Sequence, residues 1–296
     1  MASDAASPQA TQHAVLQAAV RELEAAGIDH ARRNAEWLLA AVLDCSRAAL
    51  YAYPERPMSA ADRTRFQDMI ARRTRHEPLQ YIIGHEEFYG LRMQVTPDVL
   101  IPRPETEELV ERVLGLIDGR PAPRVLDVGT GSGCIALAIQ HERPDATVMA
   151  CDVSAEALAV ARRNAQAHGL DVDLREADLL SDAFAMQLPG TFDVVVSNPP
   201  YIPDDEAPTL SSEVRDHEPA QALFTGGDAL RFYRALIAHA PALLAEEGWL
   251  ALELHTDYAE AVGGLFNASM WSSVTIHEDL SGRPRMVLAR YSRHER

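Results

Sequence analysis

Lysine is missing from this chain of 296 residues. All 27 fixed cations are arginine, set against 44 aspartates and glutamates, for a formal net charge of −17. A surface this negative repels phosphate backbones, which disfavours general DNA or RNA binding while leaving room for a local arginine patch. Acid excess without lysine fits a salt-rich cytoplasm, where screening offsets self-repulsion. It fits equally a GC-rich genome that turns lysine codons to arginine. Cysteine is scarce: Cys45, Cys134 and Cys151 are odd in number and show no metal-ligand spacing. Reduced thiols in a cytoplasm account for them, and no metal is implied. No apolar run reaches the roughly 18 residues of a membrane span. The opening Met1-Ala2-Ser3-Asp4 lacks the basic-then-apolar layout of a secretory leader. A cytoplasmic chain without membrane contact is the expectation.

What is present divides into three stretches. Residues 1–77 carry helical periods and no strand pattern. Val15, Leu16, Ala19, Val20 and Leu23 share one face, ending near Gly27; Asp29 is placed to cap the next helix; Ser59 caps one that runs to about Arg75. The spacing predicts a small bundle of four or five helices, either a substrate-recognition domain or a structural cap. Residues 78–105 form a connector, with a hairpin over 87–95 turning at Gly90 and an extended Ile101-Pro102-Arg103-Pro104 before a helix opened by Glu105 or Thr106. Residues 106–296 alternate strand and helix. Strands fall at 124–128, 147–151, 171–175, 192–197, 248–254, 272–278 and 284–291, and helices at 133–142, 154–168, 227–245 and 256–267. That alternation predicts an α/β, doubly wound, mainly parallel seven-stranded sheet, with the last two strands an antiparallel pair at an edge.

Two motifs carry chemistry. Phe192-Asp193-Val194-Val195-Val196-Ser197 reads as a buried parallel strand that ends in Asn198-Pro199-Pro200-Tyr201. The carboxyl ends of strands are where open α/β sheets bind ligands. An Asn carbonyl and a Pro main-chain carbonyl accept N–H bonds from a planar, weakly nucleophilic nitrogen, and a Tyr ring covers its face. The plainer reading is a Pro-rich turn. Upstream, Val125-Leu126-Asp127-Val128 runs into Gly129-Thr130-Gly131-Ser132-Gly133, where glycines let the main chain approach a ligand. Cys134 stands where the dinucleotide fingerprint needs its third glycine. An adenosyl cofactor without pyrophosphate is therefore preferred, against a generic glycine loop. Asp152, 19 residues past Gly133, ends the second strand and suits ribose hydroxyls, unless it caps the helix that follows; Ser154 is the other candidate cap. Asp178 and Leu179 follow the third strand, where an adenine would lie, or form an ordinary loop. Arg103, Glu105 and Glu107 wall a site or order the connector; Glu218-Pro219 and Gly226-Gly227-Asp228 line an entrance or make turns. His85, His217 and His255 receive surface or core roles rather than catalytic ones.

In this order the motifs resemble class I S-adenosyl-L-methionine-dependent methyltransferases that modify amino or amide nitrogen. Pro78-Leu79-Gln80-Tyr81-Ile82-Ile83-Gly84, Glu87-Phe88-Tyr89-Gly90-Leu91, Ile101 through Glu107, Asn198 through Pro203 and Glu218-Pro219 together resemble the release factor glutamine methyltransferase family. The likeness runs from about residue 10 to the end. It implies methyl transfer from S-adenosyl-L-methionine to the glutamine amide of the Gly-Gly-Gln loop of peptide-chain release factors; a monomer is the expectation, though nothing in the sequence fixes the oligomeric state. By position it implies that Gly129, Thr130, Gly131, Ser132, Gly133 and Asp152 hold the cofactor, with Asp178 or Leu179 near its adenine and Asn198 beside it. Asn198, Pro199, Pro200 and Tyr201 would hold the substrate amide, with Asn198, Pro199 and Tyr201 acting in catalysis. Methylation of a ribosomal-protein glutamine or of DNA adenine, and a non-catalytic adaptor, are the competing expectations.

Overall fold

Apolar residues at helical spacing build the first of two compact units, which runs to Gly84 and takes in Ser212–His217. The computed structural model describes residues 11–292, so Met1-Ala2-Ser3-Asp4 and the start of the 1–77 stretch lie outside the described residues. Helix α1 (Gln12–Ala25) is capped by Thr11, whose hydroxyl accepts from the Ala14 N–H. Helix α2 (Ala31–Leu43) is not capped by Asp29. His30 occupies that position in a left-handed conformation (φ 52°) without a side-chain cap, and the Asp29 carbonyl instead takes the Asn34 amide. Helices α3 (Arg47–Ala52), α4 (Ala60–Arg73, capped by Ser59) and α5 (Leu79–Ile83, stopped by Gly84 at φ 84°) complete the bundle. Leu23, Leu38, Leu39, Phe66 and Ile70 are fully buried in its core, each worth about 1.5–3 kcal/mol of transfer free energy. Arg73 is buried among them with its guanidinium satisfied. It donates to Asn34 Oδ1 (2.8 Å), to the Glu77 carbonyl (3.0 Å) and to the Glu213 carboxylate of the short helix Ser212–His217.

The second unit comprises 85–211 and the chain from Glu218 onward. It begins with a hairpin, β1 (His85–Phe88) against β2 (Leu91–Gln94). Tyr89 and Gly90 both take positive φ (48° and 77°), the two-residue turn whose twist matches that of the strands. Helix α6 (Pro104–Leu116) opens with Pro104 in its first turn, not at Glu105 or Thr106, because proline has no N–H to leave unpaired there. The chain then runs β3 (Arg124–Val128), α7 (Cys134–Glu142), β4 (Thr147–Asp152), α8 (Ala155–His168), β5 (Asp173–Glu176), β6 (Phe192–Ser197), α9 (Arg231–Leu243), β7 (Leu244–Glu253), α10 (Ala259–Gly263), β8 (Trp271–Glu278) and β9 (Pro284–Tyr291).

The seven strands lie in the order β5-β4-β3-β6-β7-β9-β8. Strands β3 to β7 are parallel, and β9 is antiparallel to both β7 and β8, leaving β8 at the edge. The inner strands are mostly apolar because both faces are covered, with Asp127 in β3 a buried exception. Val125, Val194 and Val196 face a layer with Leu109, Val113 and Ile135, while Leu126, Val128 and Val195 face one with Tyr233, Leu236 and Leu243. Several sequence boundaries shift, and β7 begins at Leu244 rather than 248 and ends at Glu253 rather than 254. Helix α9 begins at Arg231 rather than 227, since Gly226 and Gly227 take φ 74° and 89° and Asp228 accepts the Leu230 N–H. The 256–267 prediction resolves into a single turn, Thr256–Tyr258, and α10, which ends at the Gly263-Gly264 pair. Strand β5 begins at Asp173 rather than 171. Among the described residues no helix is long and apolar enough to cross a membrane.

Candidate active site

Two strand ends meet at the point where the sheet reverses its order. From β3 the chain winds outward through β4 and β5, then returns to β6 on the other side, and that reversal is where open α/β sheets form a ligand crevice. Val125, Leu126 and Asp127 ladder with Val194, Val195 and Val196. The buried Ser197 hydroxyl donates to the Val128 carbonyl at 2.6 Å. Gly129 and Asn198, the next residue on each strand, thus leave the sheet side by side.

On the β3 side, Gly129 and Gly131 take φ 74° and 55° and have open space where a Cβ would stand. Gly133 differs: at φ 84°, its Cβ would meet Ala161 Cβ and Leu137 Cδ1 at 3.2 Å. The third glycine of this run therefore serves the close approach of α7 and α8. Asp152 clamps the turn. Its Oδ2 accepts the Gly131 N–H (2.8 Å) and its Oδ1 the Ser154 N–H (2.9 Å), while Ser154 caps α8 by accepting from Ala157 N. Burial raises the Asp152 pKa against those backbone bonds. Asp127, fully buried, is pushed up to about 7 by loss of water, opposed by the Thr130 hydroxyl that donates to its Oδ2 at 2.6 Å. The Ala136 N–H at the start of α7 also eases its charge, and no cation pairs with it or with Asp152 among the described residues. An open glycine turn flanked by two under-neutralised carboxylates suits a ligand that carries cationic groups. S-adenosyl-L-methionine, with a sulfonium and an ammonium, fits. Ala177 donates to the Asp152 carbonyl at 3.0 Å, so Asp178 and Leu179 follow directly beside that acid. Asp178 is exposed and accepts the Leu180 N–H, and Leu179 packs against the core.

On the β6 side, the Asn198 Nδ2 donates to the Thr106 hydroxyl at 3.2 Å, and that hydroxyl donates to Glu253 Oε2 at 2.7 Å. The Tyr201 phenol lies 3.4 Å from Glu253 Oε1, a loose contact, and the His255 ring meets the Tyr201 ring edge-on at 5.7 Å. Pro199 is buried and Pro200 partly so. Burial pushes Glu253 up to about 7, against the Thr106 bond and the positive charge of Arg285; burial, then the Glu253 charge, raises the Tyr201 phenol. Glu107 and Arg103 resolve into struts, while Glu105 acts on Glu253 only as a nearby like charge. Arg103 donates to Glu218 Oε1 (2.6 Å), Ile101 N–H donates to Glu218 Oε2 (3.3 Å), and Glu107 accepts the Tyr89 N–H (2.7 Å). Asp228 makes the turn into α9. His217 meets the Arg75 carbonyl, and His85 the Arg92 guanidinium.

Sequence reading passed over Thr106, Glu253 and Asp127 as site groups. A signal existed for two of them: Asp127 is the one acid of β3, and Glu253 follows the apolar run Trp249–Leu252 at the carboxyl end of β7. Thr106 gave none beyond its place in the Ile-Pro-Arg-Pro-Glu-Thr-Glu stretch.

A seven-stranded sheet of this order, with a glycine turn at its crevice, defines a class I methyltransferase that uses S-adenosyl-L-methionine. Residues 14–84 match the PrmC N-terminal domain, and residues 112–231 the methyltransferase small domain. A methyltransferase from Pyrococcus furiosus shares the fold with a TM-score of 0.51 at 21% identity, over 69% of this chain and 90% of that one. A release factor glutamine methyltransferase of Koribacter versatilis is 42% identical over 272 residues, covering 92% of this chain and 95% of its own length. Another, of Cereibacter sphaeroides, is 44% identical over 277 residues, with 93% and 96% covered. The chain belongs to the release factor glutamine methyltransferase family.

Proposed function

We propose that this enzyme methylates the side-chain amide nitrogen of the glutamine in the Gly-Gly-Gln loop of peptide-chain release factors. The observation that carries the reading is the Asn198 carboxamide, tied to Thr106 at a strand end that adjoins the glycine turn. Relatives of that name match along nearly the whole chain, helical unit included.

An amide nitrogen is a poor nucleophile because its lone pair is delocalised into the carbonyl. Asn198 Oδ1 and the Pro199 carbonyl accept its two N–H bonds, which draws electron density onto nitrogen and fixes its direction. Tyr201 covers the amide face. Holding the nitrogen at about 3 Å in line with its target replaces a bimolecular encounter with a positioned one. When bound, S-adenosyl-L-methionine supplies an electrophilic methyl on a sulfonium whose charge is lost on transfer, so a dry, low-dielectric pocket favours the reaction. Gly129, Thr130, Gly131, Ser132, Gly133 and Asp152 would hold it, with Asp178 or Leu179 toward its adenine. No side chain needs to take a proton beforehand, because the nitrogen becomes acidic only as its new bond to carbon forms.

The helical unit grips the release factor away from the Gly-Gly-Gln loop, and the enzyme works as a cytoplasmic monomer. The net charge of −17 argues against a nucleic-acid substrate. The test is mass spectrometry of a purified release factor after incubation with the enzyme and S-adenosyl-L-methionine. A gain of one CH₂ on the loop glutamine supports the reading. An unmodified glutamine, with methyl found in a ribosomal protein or in DNA instead, overturns it.

A further inference from the structure

We infer that Thr106 and Glu253 are positioning residues that fix which way the Asn198 carboxamide faces, so that its Oδ1 is presented to the substrate amide. The inference rests on the proposed function and deepens it. A threonine hydroxyl has one proton and accepts through its lone pairs. Here that proton is committed to Glu253 Oε2 at 2.7 Å, inside a core where Glu253 is 1% exposed. What Thr106 Oγ1 turns toward Asn198 at 3.2 Å is therefore an acceptor, and an acceptor selects the N–H end of the carboxamide. The oxygen end is left for the crevice. Were the amide reversed, two acceptors would face each other without a proton between them. The glutamine substrate carries two N–H donors and would then meet the Asn198 NH₂, which offers it nothing to donate to. Glu253 holds the direction of the whole chain. It is anchored from several elements: Thr106 on α6, Tyr201 after β6, Arg285 on β9, and Tyr233 on α9, whose hydroxyl donates to the Glu253 carbonyl at 3.2 Å, while Glu105 on α6 faces it as a like charge and opposes its ionisation.

Neither residue touches the substrate, so both act through Asn198, and the readout must separate positioning from folding. The experiment compares parent, Thr106→Val and Thr106→Ser in single-turnover methylation of a purified release factor, with S-adenosyl-L-methionine affinity measured by calorimetry on the same samples. Valine keeps the shape and loses the hydroxyl; serine keeps the hydroxyl. Thr106→Val should slow the single turnover roughly ten- to hundredfold, with cofactor affinity within about twofold and release-factor KM little changed, and Thr106→Ser should recover most of the rate. Thr106→Val turning over at the parent's rate, or a folded Thr106→Ser no faster than the valine variant, overturns the inference. Should Thr106→Val not fold, the parent's pH profile decides. Once Glu253 takes up a proton it can donate to Thr106, whose hydroxyl then turns on Asn198 Oδ1. The single-turnover rate should fall about tenfold or more from about pH 8 to about pH 5; a flat profile overturns the inference. A parent that leaves the release factor unmethylated overturns the proposed function itself, and this inference with it, which distinguishes the two failures.

Discussion

Replacing Glu253 by Gln should make the sheet unit more stable relative to the parent as pH rises. The carboxyl is 1% exposed and its pKa is raised from 4.5 to about 7, chiefly by burial. The folded state then binds more protons than the unfolded state between those values, so unfolding free energy falls with pH across that window. The contribution is fully present below about pH 4.5 and is lost as pH climbs through about 7. A gap of about 2.5 units at roughly 1.36 kcal/mol each sets a ceiling near 3 kcal/mol. Glutamine matches the shape of the protonated acid and does not titrate. Asp127, also raised to about 7, is common to both proteins and cancels in the comparison. The assay is urea unfolding of parent and Glu253→Gln, each in a Trp37→Phe background, at several values from about pH 5 to about pH 8 and constant ionic strength. The remaining indoles, Trp249 and Trp271, both lie on strands of the sheet, so their fluorescence reports that unit. The stability difference should move in favour of the variant by about 1–3 kcal/mol over the range. A difference that does not change with pH would refute the reasoning, since it would mean that Glu253 ionises as readily in the fold as in the open chain.

Asn198→Ala should abolish release-factor methylation while leaving S-adenosyl-L-methionine affinity within a few-fold of the parent, whereas Asp152→Ala should weaken that affinity at least tenfold by freeing the Gly131 N–H as well as removing the acid; calorimetry with the two variants separates these losses, and equal cofactor affinities would sink the assignment. Gly133→Ala should lower unfolding free energy by about 1–3 kcal/mol, because φ is 84° and the new methyl stands 3.2 Å from Ala161 Cβ. Thermal melts test this, and an unchanged midpoint would show that α7 and α8 can part at no cost.

Most of the sheet was legible because its strands announce themselves. Phe192–Ser197 and Arg124–Val128 are short apolar runs bounded by turn residues, and both boundaries match residue for residue. The pattern fails where a helix is stopped by local chemistry rather than by loss of periodicity, as at Gly226-Gly227 before α9 and Gly263-Gly264 after α10. Asp29 shows a similar limit: it had the composition of a cap, but the backbone turned left-handed at His30 and put the helix start one residue later. The motif residues were readable at the site because strand-end chemistry is local in sequence. Thr106 and Glu253 were not, since they lie 147 positions apart and their hydrogen bond exists only once α6 is packed over the end of β7. Ser212–His217 was hidden for the same reason. Its membership of the helical unit follows from a buried arginine far away in the chain, at Arg73.

The bond from Ser197 to Val128 has a mechanical consequence. The turn that would carry the methyl donor and the tetrapeptide that would receive the acceptor are rooted in neighbouring rungs of one hydrogen-bonded ladder. Donor and acceptor platforms cannot hinge apart as they do in enzymes that split their substrates between two lobes. If the site is as proposed, turnover would come from the guests moving, the modified loop withdrawing and the spent cofactor exchanging over a floor braced by that ladder.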